Sequence, residues 1–328
     1  MLSPLLFSVY LDGLLQNLRT QQLGCHIGGV WLGACGYADD IILLAPSRDV
    51  LQNMLQVCEN YAVEHNLVFS TDPVAAKSKS KCIYFCGRQG RRVEYPAPLQ
   101  LNGKDLPWVE TADHLGHTLH QLCKMDADSQ KAKRKFVHST MNIREQLSFA
   151  HPQQVLNAIQ VYCTDAYGRM LWDFQSVSTV QFFKSWNSCV KSVYNLPRNT
   201  FTYLVEGSLA ENIPTLRNQV LSRYPSFYRK LLASPCTEVS VLLRIIENDP
   251  RSTTCRNLRF LRNATKVSQP ELRSGKFIRT NLPTKSVPEE EKWRVGLLWS
   301  CLNLRSDIER KLEDSASICA MITSLCNT

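Results

Sequence analysis

Gly36-Tyr37-Ala38-Asp39-Asp40-Ile41-Ile42-Leu43-Leu44-Ala45 is the most informative stretch of the chain. From Val30 to Ala45 the residues are β-branched, aromatic or small on both sides of the acidic pair. That composition predicts two strands joined by a turn at Asp39-Asp40. Carboxylates set between segments that read as buried are costly, because desolvating an unpaired carboxylate is unfavourable unless a cation compensates it. A metal ion is the compensation this pattern predicts. Asp39 is then the direct ligand, and Asp40, which alternates to the other face of an extended chain, has a secondary role. The two letters are equally compatible with a polar turn, since Asp bonds its own backbone there, so the flanks have to separate the two readings.

Upstream, Ser3-Pro4 followed by Leu5, Leu6, Val9, Tyr10, Leu14 and Leu18 predicts a helix with Ser3 as N-cap and Pro4 in its first turn. Gly28-Gly29 reads as a turn. Downstream, Ser47 caps a second helix in which Leu51, Met54, Leu55, Cys58, Tyr61 and Ala62 repeat at helical spacing, with Asn66 as a left-handed stop. Strands are expected over 67–70 and 81–86, and a further pair near 99–101 and 113–119 around Asn102-Gly103. Residues 1–122 therefore read as α+β. Amphipathic helices follow over roughly 129–148, 152–173, 179–195, 214–233 and 237–248, punctuated by Pro152, Pro197, Pro214 and Pro250. Residues 250–288 are polar and basic and read as a linker, ahead of a last helix introduced by Pro288 and three glutamates. Three parts result: 1–122, 123–249 and 250–328.

A hydrophobic fraction of 44% with 20% charged residues excludes a disordered or fibrous chain. The net charge of +9 is unevenly spread: Lys77, Lys79, Lys81, Arg88, Arg91 and Arg92 run without an acid, as do Lys131, Lys133, Arg134, Lys135 and Arg144. Such clusters point to a polyanionic partner, nucleic acid first, through counterion release. The 13 cysteines are odd in number and form no C-x-x-C pair, which fits a reduced intracellular compartment, nucleus or cytoplasm, rather than secretion. Cys82 and Cys86 lie four apart in an apolar run and read as core or surface cysteines rather than zinc ligands. No apolar run is long enough to span a bilayer, and the leucine-rich start lacks the marks of a signal peptide, so no membrane partner is expected.

Four segments occur in a telling order: Leu2-Ser3-Pro4-Leu5-Leu6-Phe7 with Tyr10 and Asp12; the Tyr-Ala-Asp-Asp hairpin; Phe69 to Phe85 with Lys77-Ser78-Lys79-Ser80-Lys81; and His114-Leu115-Gly116-His117. Together they resemble the later motifs of non-LTR retrotransposon (LINE-type) reverse transcriptases. Trp186-Asn187 to Leu196-Pro197-Arg198 resembles the region after the thumb in the same elements. The resemblance implies a partial polymerase palm of antiparallel hairpins packed on helices, then an all-helical thumb-like region. It implies RNA-directed DNA polymerase chemistry on an RNA template and DNA primer with deoxynucleoside triphosphates, and Mg²⁺, or Mn²⁺, as cofactor. In such a site one metal activates the attacking 3′-hydroxyl and a second neutralises the triphosphate. Asp39 then matches the metal-binding aspartate and Asp40 its neighbour, with Tyr37 near the primer end. Lys79 matches the lysine beside the triphosphate, with Lys77 the alternative if the register slips by two. The resemblance also implies that Ser3 and Pro4 contact substrate and that Leu115 and Gly116 lie in the strand that grips the primer backbone, while the acid-free charge run makes Lys131, Lys133, Arg134 and Lys135 the candidate nucleic-acid surface.

The family also carries a metal-binding aspartate, fingers and a Gln-Gly motif before the Leu-Ser-Pro segment, and these are not in the chain. The expectation is a carboxyl-terminal portion, inactive in isolation, with a nucleic-acid-binding remnant or a helical protein-interaction module as alternatives.

Overall fold

The computed structural model describes residues 3–72, 78–85, 95–165, 168–200, 214–266, 268 and 271. Two units emerge, one formed by Met1–Met125 with Ser234–Asn248, the other by Asp126–Ala233 with Asp249–Thr328. The architecture is α+β, a palm-like arrangement of hairpins and helices followed by helices.

In the first unit α1 (Ser3–Thr20) buries Leu11, Leu14 and Leu18. Their spacing of three and four puts them on one stripe, and each is worth about 1.5–3 kcal/mol of transfer free energy. Two hairpins follow, β1 (His26–Ile27) with β2 (Val30–Trp31) about Gly28-Gly29, and β3 (Ala34–Tyr37) with β4 (Asp40–Leu43). Helix α2 (Arg48–Glu64) starts where predicted, the Ser47 hydroxyl accepting from Val50 N at 3.4 Å, and the chain leaves it through Asn66 at φ 52°. Its Met54, Cys58 and Tyr61 pack against Leu14 and Leu18, with Ala34, Ile41 and Leu43 of the second hairpin closing that core. Its Leu55 faces a second core made by Cys82, Leu99, Leu101 and Leu106. One α2 thus serves both layers. Gly13 lets α1 approach α2 closely: a Cβ there would stand 2.8 Å from the Tyr61 hydroxyl that donates to Tyr10 O at 2.6 Å, and would push that side chain aside.

Several sequence expectations are corrected here. Residues 67–70 and 81–85 are not strands; only Cys82 pairs, as a single parallel bridge to Trp108. Asn102-Gly103 joins β5 (Leu99–Leu101) to β6 (Lys104–Leu106), not to the 113–119 segment. That segment folds on itself as β7 (Thr111–His114) and β8 (His117–His120), because Leu115 and Gly116 both take positive φ and make a turn of their own.

In the second unit α3 (Asp126–Gln146), α4 (Pro152–Cys163), α5 (Val177–Val193) and α6 (Leu216–Leu232) surround Phe136, Ile159, Trp172, Phe182, Trp186 and Tyr228. Trp172 meets Phe182 edge-on, centroids 5.1 Å apart at 89°. The helix expected over 152–173 ends at Cys163; Gly168 at φ 68° then opens a 3-10 turn, Arg169–Leu171. Helix α7 (Thr237–Asn248) belongs with the first unit: Arg19 of α1 pairs with its Glu238 at 2.7 Å. Residues 253–265, read as part of a linker, form α8 (Thr253–Thr265), which buries Leu258 and Leu261 on an apolar stripe that its many polar residues obscure. The last predicted helix and most of the linker lie outside the described residues.

Candidate functional site on the second hairpin

Ala34 pairs with Leu43, Cys35 with Ile42, Gly36 with Ile41 and Tyr37 with Asp40. The closing pair leaves Ala38 and Asp39 as a two-residue turn. Ala38 adopts φ 52°, a region an L-residue with a Cβ enters at a cost of roughly 1–2 kcal/mol. Strand alternation directs Ala34 and Gly36 toward α1, where a Cβ on Gly36 would lie 3.1 Å from Leu15. Tyr37 is therefore on the opposite face and is 66% exposed.

Asp39 and Asp40 are both exposed. The acids lie at the exposed tip of the hairpin, as expected, but the strands beside them, read from the sequence as buried, are only partly so: water solvates both carboxylates, and desolvation supplies no argument for a compensating ion. What remains is donor chemistry. Two adjacent carboxylates offer hard oxygen ligands of the kind Mg²⁺ prefers, with water completing its octahedron. Among the described residues no group of three His, Cys, Asp or Glu is placed to hold a metal. The donor set fits the ion in kind and is short in number.

The other predicted residues distribute as follows. Ser3 and Pro4 lie in the first turn of α1. Lys79 is exposed, beside a buried Ser78 whose hydroxyl donates to Ser80 O at 2.5 Å; Lys77 lies outside the described residues. Leu115 and Gly116, expected within a strand, form the turn of the β7–β8 hairpin, closed by His114 and His117. On α3, Lys131, Arg134 and Lys135 share one exposed stripe at spacings of three and four, continued by His138. Lys133 does not join them. It falls in register with Ser129, Phe136 and Thr140, which are buried, and is itself half-buried.

Sequence reasoning missed a cluster of rings. Tyr95 lies nearly parallel to Trp108, 14° apart with centroids at 6.2 Å, and Tyr84 meets the same indole edge-on at 6.3 Å. The available signal was the density of aromatics between residues 84 and 108, but nothing in their spacing predicts that they meet.

Residues 1–119 match the family model of reverse transcriptases, RNA-dependent DNA polymerases. A comparison with curated proteins returns no match. The matched stretch holds the second hairpin, Lys79 and the β7–β8 turn; all of α3 lies beyond it.

Proposed function

We propose that this chain is the carboxyl-terminal portion of a non-LTR retrotransposon's RNA-directed DNA polymerase, with Asp39 the metal-binding aspartate of its palm. The observation that carries the reading is the tight β3–β4 turn within a stretch matching the reverse transcriptase family, which holds adjacent carboxylates clear of the protein surface. Asp39 would hold Mg²⁺ with Asp40 assisting, and the ion would supply activation of a primer hydroxyl and neutralisation of a triphosphate. Tyr37, exposed on the same tip, offers a ring against the primer end. Lys79 offers a positive charge to the triphosphate, and the Lys131, Arg134 and Lys135 stripe offers a track for phosphates. The substrates are an RNA template, a DNA primer and deoxynucleoside triphosphates, in an intracellular setting.

The isolated 328-residue chain is proposed to be inactive. Mg²⁺ keeps its waters readily, and one or two carboxylates on a single turn hold it weakly. Phosphoryl-type transfer depends on positioning and charge stabilisation that need further groups. Primer extension tests this directly. The chain alone should give no product with Mg²⁺ or Mn²⁺, whereas a version extended upstream to supply a second aspartate strand and fingers should give product that Asp39→Ala abolishes. Extension by the chain alone that Asp39→Ala stops would overturn the inactivity. Extension by the longer version that Asp39→Ala leaves intact would overturn the site.

A further inference from the structure

The segment 78–85 runs against residues 107–109: Cys82 N donates to Pro107 O at 3.0 Å, and Val109 N donates to Cys82 O at 2.8 Å. This pairing buries Cys82 in the core beneath and sets Tyr84 beside Trp108. On the other side Tyr95 is tethered, its hydroxyl donating to Gln121 Oε1 at 3.1 Å, while buried Gln121 is itself held by its N–H to Glu110 O at 2.9 Å. Trp108 Nε1 is buried with no acceptor, so ring packing rather than a hydrogen bond locates the indole. Two rings of this ordered cluster nonetheless remain open to solvent, Tyr84 at 41% and Tyr95 at 39%.

We infer that Tyr84, Tyr95 and Trp108 form a stacking platform for the bases of a single-stranded nucleic acid. The inference rests on the nucleic-acid reading above and adds to it a base-contacting surface. Every base has a π face, so rings held at fixed orientation bind single strands with little sequence preference, whereas a duplex keeps its base faces covered. Charge agrees in sign and is modest: Lys79 and Lys81 are exposed on the same segment, and Glu110 offsets part of them. Stacking therefore carries the affinity here, and the contribution of the platform differs in kind from that of the α3 stripe. Loss of the rings should weaken binding by the same factor at low and high salt, while loss of the lysines and arginine should change the salt slope.

The test is fluorescence anisotropy of the full chain with oligothymidylate and with a duplex of equal length. Replacing Tyr84 and Tyr95 together by alanine should weaken oligothymidylate binding roughly tenfold at every salt concentration and leave duplex binding unchanged. Replacing both by phenylalanine, which keeps the rings and loses the hydroxyls, should retain most of the affinity. An alanine variant that binds oligothymidylate as the parent does, or one that loses strand and duplex equally, overturns the platform. If the parent chain binds neither strand nor duplex, the nucleic-acid reading itself falls and takes this inference with it.

Discussion

Tyr37 and Asp40 are cross-strand partners, and because they close the β3–β4 hairpin with only two residues between them, Asp39 is held at the tip beside a left-handed Ala38. The turn sets the direction of Asp39 through backbone geometry, without help from burial. Glycine at position 38 enters that region freely at some entropic cost in the unfolded chain. Ala38→Gly should therefore raise stability by about 0.5–1 kcal/mol in urea denaturation. A destabilisation would mean that this turn does not carry the strain assigned to it.

Replacing Lys131, Arg134 and Lys135 together by glutamine should reduce the slope of log binding constant against log salt by up to about 2.7, at about 0.9 per duplex phosphate released. Adding Lys133→Gln should change it no further, since that residue follows the buried register of α3. An unchanged slope in the triple variant would remove the stripe from the nucleic-acid surface.

Asp128 is buried at the start of α3 and accepts from Trp172 Nε1 at 2.6 Å. Burial pushes the Arg169 guanidinium down to about 10, and Asp165 and Asp128 oppose that shift. Asp128→Ala removes an acceptor and a counter-charge together and should cost about 3–5 kcal/mol by chemical denaturation. Asp128→Asn, which can still accept from the indole, should cost less. Equal losses would assign the effect to charge alone.

Burial pushes the Cys58 and Cys189 thiols up to about 12 and Cys82 to about 11. A group whose folded pKa exceeds its unfolded value contributes stability that is complete below the unfolded pKa and lost as pH rises through the folded one. The contribution of these thiols should thus be level up to about pH 9 and then fall, each adding a slope of about 1.4 kcal/mol per pH unit. Cys58→Ala should make the alkaline slope shallower by one such increment. A pH-independent stability between 9 and 11 would contradict the burial of these thiols.

The sequence alone determined the local elements. Ser47 and Asn66 bracket α2, Gly28-Gly29 and Asn102-Gly103 are turns, and Asp39-Asp40 belongs to a hairpin, because caps and left-handed turns are set by the residues that form them. The tertiary structure alone decided which segments meet. It paired 81–85 with 107–109 through one bridge where a strand was expected, folded 111–120 on itself, and drew 237–248 to the first unit through Glu238. It also turned Lys133 into a helix's packed face, left the strands beside Asp39 only partly buried, and gathered Tyr84 and Tyr95 around the Trp108 indole. These outcomes depend on packing between residues tens of positions apart, where burial and ring contacts reward a pairing that no local spacing encodes.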